Sequence, residues 1–403
     1  MSIKETVKTR FALVPRMTAQ GYSLEDVTTR RDWVAERTGT SLEHVAACTI
    51  DYMAMRGNVE NPIGSIQMPL GVAGPLLVKG EHADGEFYVP LATTEGALVR
   101  SYERGMMVLA RSGGAEARIL RDENRVAPTF FFEDTIAAVD FSRQVPGQLE
   151  EIRQQAEATT RHGKLLRLVP HVIGRQVLLS FEYETGDAQG MNMILKATQA
   201  AAEWLLVNSH ASHYQIFSGM GSEKRASGHL LNGGKGKKVV AGCRIPAKIL
   251  RTYMRATPAQ FMDLWHNTML GHVQAGSLGY NGHYANGLTA LFIACGQDVA
   301  NVANAAVGIT NFEVTATGDL YASVTLPSLS VATVGGGVGL GSSHECLQML
   351  DCNGAGKARK FAEITAAMVL AGELSFGAAI ISGEFVAAHE SYGRNRPDEQ
   401  VTP

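Results

Sequence analysis

Gly287-Leu288-Thr289-Ala290-Leu291-Phe292-Ile293-Ala294-Cys295-Gly296-Gln297-Asp298 is the stretch on which the fold turns. Nearly every residue is small or apolar, and that character continues to residue 307. A helix apolar on all its faces belongs in the middle of a packed core. The spacing therefore predicts a helix over 287–307 with a large α/β domain built around it. Asp298, the one charged residue of the run, is conspicuous there.

Outward from that helix the chain divides by pattern. Residues 1–60 read as a helical region, with Ser23-Leu24-Glu25-Asp26 and Thr40-Ser41-Leu42-Glu43-His44 each offering a capping hydroxyl followed by early acids. Met68-Pro69-Leu70-Gly71-Val72-Ala73-Gly74-Pro75-Leu76 is a turn-rich strand region, 86–91 a short strand and 95–112 a helix. From about residue 127 the character changes. Runs 129–132, 165–172, 176–183 and 214–217 are β-like, and 141–160 and 191–209 are helix-like. Strand, helix, two strands, helix, strand is the order of a ferredoxin-like sandwich. It reads as an insert at 130–217 in a larger unit made of 61–129 and 218–403. After the insert, 237–245 reads as a strand, 246–270 as one long helix, 310–326 as two strands about Thr317-Gly318-Asp319, and 356–389 as two helices. The expected class is α/β in the broad sense (α+β).

Composition narrows the function. At 403 residues and 45% hydrophobic, the chain can fill more than one core. A net charge of −3 gives no footing for a nucleic-acid binder. Five scattered cysteines without a Cys-x-x-Cys pair make neither a disulfide framework nor a zinc ribbon, and no metal is expected. Their odd number and a polar start point to a reducing cytoplasm. The most apolar run, 366–381, is interrupted by Glu373 and reads as a buried helix rather than a membrane span.

Chemistry gathers at Gly219-Met220-Gly221-Ser222-Glu223-Lys224-Arg225. The glycines allow a tight backbone path. An acid followed by two cations is either a solvated basic turn or a site for an anion or developing negative charge. Three other stretches each set one ionisable side chain among small neighbours: Thr93-Thr94-Glu95-Gly96, Ala294-Cys295-Gly296-Gln297-Asp298 and Val386-Ala387-Ala388-His389. A lysine, two carboxylates and a histidine are the oxyanion partner and proton donors that carbonyl reduction needs. The glycine run 334–341 fails the Gly-x-Gly-x-x-Gly spacing, which leaves a packing turn or a dinucleotide contact. Gly233-Gly234-Lys235-Gly236-Lys237-Lys238 lacks phosphate-loop spacing and reads as an exposed hairpin. Gly186-Asp187-Ala188-Gln189-Gly190-Met191-Asn192-Met193 leads a strand into a helix, where free N–H groups suit a phosphate or carboxamide and the Asp suits a cap. His283 is either a satisfied core histidine or a ligand contact.

In chain order these segments resemble 3-hydroxy-3-methylglutaryl-CoA reductase: Glu60-Asn61-Pro62-Ile63-Gly64 with 69–76, then 92–105, 187–193, 218–225, 293–298, 333–337 with Leu347-Gln348-Met349-Leu350, and 371–374 through His389. The resemblance spans about residues 60–394 and is to the catalytic portion of the class that includes the eukaryotic enzymes. It implies a four-electron, NADPH-dependent reduction of an acyl-CoA thioester to a primary alcohol, 3-hydroxy-3-methylglutaryl-CoA to mevalonate. By the same resemblance, Lys224 holds the oxyanion, Glu95 supplies a proton in the second reduction, Asp298 ties the lysine and glutamate into one network, and His389 protonates the departing thiolate. Asp187, Gln189, Gly190, Met191 and Asn192, with Thr333, Val334, Gly335 and Gly336, fall at the nicotinamide dinucleotide. Thr160, Arg161 and Arg394 fall near its 2′-phosphate. Ser218, Arg225, His283 and Asn286 fall at the acyl-CoA, and Arg104 and Arg255 at the CoA phosphates. The insert 130–217 then carries the cofactor, 61–129 with 218–403 binds acyl-CoA, and active sites lie between subunits of a homodimer or higher homo-oligomer.

The chain also departs from the family pattern. Phe131 stands where a substrate-binding arginine is expected, Asn267 where a lysine is, Glu223 replaces an aspartate, Arg225 a lysine and Met220 an asparagine. A planar arginine fork is a strong clamp for a carboxylate, so these changes leave room for a reductase of a different acyl thioester. Arg125 is near enough in sequence to take over the missing role. A homologue that binds CoA esters without turnover is the further alternative.

Overall fold

A computed structural model of the chain describes residues 12–17 and 21–384. The candidates His389 and Arg394 lie outside the described residues. Ser23 opens α1 (Leu24–Thr38) with a capping box closed by Asp26. The short α2 (Glu43–Ala46) starts differently from its sequence signal: Leu42, left-handed at φ 55°, occupies the cap without a side-chain hydrogen bond. A 3₁₀ turn, Tyr52–Met55, follows.

The antiparallel ribbon β1 (Leu70–Lys79) and β2 (Asp84–Ala92) leads into α3 (Leu98–Arg111). The ribbon's turn is fastened from a distance. Glu363 carboxylate oxygens accept the backbone N–H groups of Glu81, His82 and Ala83 at 3.2, 2.8 and 2.8 Å. Then comes β3 (Ala115–Val126), a strand the sequence pattern did not announce. It pairs with β1 through Ala115 and Glu116, and through its last three residues with a strand of the insert.

The insert comprises β4 (Thr129–Phe131), α4 (Thr135–Gln144), α5 (Leu149–Glu157), β5 (Lys164–Ile173), β6 (Gln176–Glu184), α6 (Met191–Val207) and β7 (His213–Gln215). A 3₁₀ turn containing Pro146 and Gly147 separates α4 from α5, where one helix was expected. β7 pairs with β4, β4 with β6 and β6 with β5, all antiparallel, which is the ferredoxin-like order. This sheet and its helices enclose a core of their own around Phe130, Phe181 and Ile194.

The chain then returns to the larger core. β8 (Gly236–Ile245) pairs with β3 and with β10 (Leu320–Leu329), which pairs with β9 (Ile309–Val314). The expected long helix at 246–270 is two. α7 (Ala247–Met254) ends at left-handed Arg255 (φ 52°), and α8 (Pro258–Ala275) restarts from a Thr257–Gln260 capping box with Pro258 in its first turn. The central helix is also shorter than expected: α9 (Tyr284–Ala294) stops before Gly296 (φ 63°). Asp298 instead caps a 3₁₀ turn that runs into α10 (Val302–Ala305). After α11 (Gly341–Met349), α12 (Ala358–Ser382) is a single unbroken helix of 25 residues closed by left-handed Gly383, and the rest of the stretch expected to carry two helices, 385–389, lies outside the described residues.

α9 and α12 both run through the large core. α12 is apolar and long enough to cross a membrane by length alone, but 78% of its most apolar window is buried inside the fold. Its packing on α3 is backbone against backbone: a Cβ at Gly105 would fall 1.9 Å from the Ala371 carbonyl oxygen.

The junction between the two cores is ionic. Arg125 and Glu182, 5% and 4% exposed, pair at 3.2 Å, and Arg167 bridges Glu182 to Glu123. Beside them Lys237 and Arg359 both reach Asp122, at 3.0 and 3.3 Å. Charges this deep are tolerated only as a closed set, because desolvation cancels most of the attraction and one missing partner leaves the other stranded.

Candidate active site

The loop 218–225 leaves the insert and runs back to the large domain. Ser218 donates its hydroxyl hydrogen to the Ala127 carbonyl at 2.5 Å and accepts from Met220 N–H, which fastens the loop to the end of β3. Gly219 takes φ 80°, and Ser222 and Lys224 each take φ 54°, left-handed values that residues with a Cβ adopt only when held. In that conformation Lys224 Nζ reaches Asp298 Oδ2 at 2.7 Å. Asp298 is aimed by its capping role, its other oxygen accepting Ala300 N–H at 3.1 Å. The hydrogen bond to Asp298 is the main reason the Lys224 ammonium is held above the ordinary lysine pKa.

This pair lies on the wall of a cleft of about 780 Å³. Gln189, Gly190, Met191 and Asn192 line the same cleft, as do Val334, Gly335 and Gly336. Gly190, at φ 70°, caps α6 without a side-chain hydrogen bond, so the first-turn N–H groups remain available to a ligand. Gly335 and Gly336 have φ 79° and 55°, and nothing stands within 4 Å of where a Cβ would be.

Other candidates are committed to the fold. Asp187 accepts Gly356 and Ala358 N–H at 2.7 and 3.0 Å, capping α12, and its carbonyl accepts Thr333 N–H at 2.9 Å. Thr333, 3% exposed, donates to Gly354 O at 2.7 Å. Asp187 and Thr333 thus tie the two cleft loops together. Gln189 accepts from Asn301 at 3.2 Å and donates to Ser330 O at 3.4 Å. Thr160 accepts His162 and Gly163 N–H in a turn packed beside Met193, and Arg161 next to it is exposed.

A second group lies off the cleft. Glu95 is exposed and accepts from Asn286 Nδ2 at 3.3 Å, so the expected lysine–glutamate–aspartate network appears within one chain as two separate pairs. His283 is packed among Tyr102, Phe376 and the Gly372 carbonyl, with its backbone N–H on Glu373. Arg104 holds Ser375 O at 2.7 Å, and Arg104 and Arg255 share Glu384 at 3.4 and 2.6 Å. Arg225 stacks over the Phe217 ring at 5.1 Å.

Sequence reasoning missed one wall of the cleft. Ile50, Met55, Asn58, Val59, Gly64 and Ser65 line it. The available signal was Gly64, whose φ of 147° and close approach to Val45 O leave no room for a side chain. The 233–238 hairpin was also misjudged: Lys235 and Lys237 are 1% and 2% exposed, and Lys235 pairs with Glu223. Among the described residues one group of metal-type side chains occurs, Glu81, His82 and Glu363, at the β1–β2 turn where Glu363 is already engaged by backbone N–H groups.

Residues 26–394 match the family model described as hydroxymethylglutaryl-coenzyme A reductase. The chain belongs to that family. It is 42% identical over 376 residues to 3-hydroxy-3-methylglutaryl-coenzyme A reductase of Methanothermobacter thermautotrophicus, covering 92% of this chain and 94% of the other. It is 36% identical to the Zea mays enzyme of that name, covering 93% of this chain and 66% of the other. A solved class II enzyme of Streptococcus pneumoniae, described as bound to NADPH, shares the fold with a TM-score of 0.67 at 20% identity, over 87% of this chain and 92% of that one.

Within this family the departures of the chain have visible environments. Phe131 stacks on His213 with ring centroids 4.2 Å apart. Arg125 does not replace the missing arginine: it is buried against Glu182 and the Gly233 carbonyl.

Proposed function

We propose that the chain reduces 3-hydroxy-3-methylglutaryl-CoA to mevalonate and CoA with NADPH as reductant. The observation that carries this is the Lys224–Asp298 pair on the wall of the cleft lined by the 189–192 and 334–336 loops. The residues suit the cofactor: uncapped N–H groups at the start of α6 favour an anion, and Gly335 and Gly336 leave space for a flat ring. NADPH, when bound, supplies a hydride to each of two successive carbonyl groups.

The chain's own residues handle the charge. Lys224, held by Asp298, donates to the thioester oxygen as it becomes an oxyanion, the moment at which such a contact counts most. Collapse of the hemithioacetal breaks the C–S bond, and His389 gives the CoA thiolate its proton. The aldehyde oxygen then rests on the same ammonium, and Glu95 delivers the second proton to complete the alcohol. Two hydrides and two protons thus convert one thioester to one alcohol and one thiol.

Glu95 and Lys224 belong to separate groups in one chain, so the reading includes a homodimer in which one protomer completes the other's site. Supporting it, Ile66, Leu70, Val72 and Tyr88 are 83%, 51%, 53% and 53% exposed around the β1–β2 ribbon, an apolar face suited to a second copy. Five free cysteines fit a cytoplasmic setting. We assign the unit at 130–217 as the NADP(H) carrier.

The test is NADPH absorbance with 3-hydroxy-3-methylglutaryl-CoA present. Two equivalents consumed per CoA released support the reading, with Lys224→Ala binding NADPH but losing turnover on the order of 10²-fold or more. Binding of CoA esters without NADPH loss overturns it in favour of a non-catalytic homologue. One observation favours a second reading, reduction of another acyl thioester: the Phe131–His213 stack and the burial of Arg125 leave the acyl carboxylate short of cations.

A further inference from the structure

Lys235 is 1% exposed. Its ammonium pairs with Glu223 and lies 2.9 Å from Met191 Sδ. These contacts reach two sides of the cleft, since Glu223 precedes Lys224 and Met191 opens α6, and all three residues line it. Burial draws the ammonium below the ordinary lysine pKa, Arg125 and Lys224 add to that, and Glu223 opposes it.

The backbone on either side is built around this lysine. Gly234 has φ 91°, and a Cβ there would fall 1.7 Å from Arg125 Nη2. Gly236 has φ 86°, and a Cβ would fall 2.4 Å from the Leu329 carbonyl oxygen. Glycine alone fits both positions. Ser330 Oγ donates to the Lys235 carbonyl at 3.3 Å and fixes the segment against β10.

At the other end stands a loop in need of an anchor. Ser222 and Lys224 both occupy the left-handed region, and Glu223 lies between them. Ser222 is held by Ser227 at 3.0 Å and Lys224 by Asp298 at 2.7 Å. Without a fixed Glu223, the peptide that aims Lys224 is free to relax to an ordinary conformation and carry the ammonium away from Asp298.

We propose that Lys235 is a positioning residue for the reduction, its ion pair with Glu223 locking the loop so that Lys224 Nζ meets Asp298 inside the cleft. This rests on the reading of the chain as a reductase. Lys235 touches no reacting atom; it acts through Glu223.

The test compares Lys235→Met, Glu223→Gln and the double variant with the wild-type chain. Lys235→Met lowers kcat about 10²-fold, the cost of a misplacement near 1 Å, with KM for NADPH changed less than about threefold. It also lowers the melting temperature, because Glu223 loses its partner. The double variant recovers the melting temperature but not kcat. A crystal structure of the more stable of these variants shows Lys224 Nζ beyond hydrogen-bond distance of Asp298. The proposal is overturned if Lys235→Met keeps wild-type kcat, if the double variant regains kcat along with stability, or if the Lys224–Asp298 pair is unchanged. Should Lys235→Met not fold, the double variant carries the kinetic and crystallographic arms. Absence of turnover in the wild-type chain sinks the reductase reading instead, and the crystallographic arm still decides the position of Lys224.

Discussion

Asp298→Asn is expected to separate stability from activity. The substitution keeps the shape of the side chain, and the amide oxygen still accepts Ala300 N–H. What it removes is a charge 2.7 Å from Lys224 Nζ, in a pair whose side chains are 46% and 36% exposed. At that distance Coulomb attraction in water is worth about 1.5 kcal/mol. The entropy of holding two side chains together leaves a net of about 0.2–1 kcal/mol. For a chain of this size that is a melting shift of about 2 °C or less. Turnover should fall far more, on the order of 10²-fold, because Lys224, though still charged, is no longer held where the oxyanion forms. Parallel thermal denaturation and NADPH-oxidation assays measure both. A variant that melts many degrees lower, or one that keeps its kcat, refutes the account of Asp298 as the residue that aims Lys224.

The pH dependence follows from the same hydrogen bond. Asp298 holds Lys224 above its ordinary value of 10.5. The stabilisation from that raised pKa is fully present below 10.5 and is lost as pH rises through the folded-state value. Wild type and Asp298→Asn should therefore differ in stability by a constant amount near neutrality, and the difference should vanish as pH rises through the folded-state value of Lys224. In the variant the alkaline fall of kcat moves to lower pH, and an unmoved alkaline limb assigns that titration to another group.

Three further perturbations read other parts of the molecule. Gly105→Ala places a Cβ 1.9 Å from Ala371 O in the α3–α12 crossing, and urea denaturation should show a loss of about 1–3 kcal/mol; unchanged stability means the helices separate freely. Glu363→Ala strips the acceptor from Glu81, His82 and Ala83 N–H, costing about 1–3 kcal/mol and speeding hydrogen exchange at those amides; unaltered exchange there removes Glu363 as the clamp of the turn. A panel of acyl-CoA esters with and without a terminal carboxylate, ranked by kcat/KM, tests the substrate: preference for the carboxylate, improved by Phe131→Arg, supports the mevalonate reading, and a preference of about tenfold or more for an uncharged acyl group overturns it in favour of another thioester.

Much of the fold was legible because apolar periodicity reports burial directly. β1, β2, β5, β6, β8 and β10 fall where β-like runs were read, and the ferredoxin-like order followed from their sequence. β3 was not legible. Its last four residues, Glu123-Asn124-Arg125-Val126, are buried, yet their letters are largely those of a surface. Only partners brought from elsewhere, Arg167 and Glu182, make those charges affordable in the interior. The helix breaks were partly legible: Thr257-Pro258 and Gln260 spell a capping box inside what read as one helix. Continuous apolar character masked that signal.

The site divides along the same line. Asp298 stood out as a lone charge among small residues, an arrangement that a solvated face does not need, and Lys224 as the middle of an acid–cation–cation triplet after two glycines. Nothing local marks Lys235, since a lysine between glycines carries the letters of an exposed turn; its burial depends on Glu223 and on two glycines whose φ values are fixed by distant neighbours. Arg104 and Arg255 are the converse case. The resemblance places them at the CoA phosphates, and in the fold Glu384 engages both. A phosphate that settles on them has to compete with that carboxylate, so their affinity for an anion is a difference between two pairings rather than the worth of either one. Sequence reports how many charges a chain has, and tertiary structure decides which of them are left to bind a ligand.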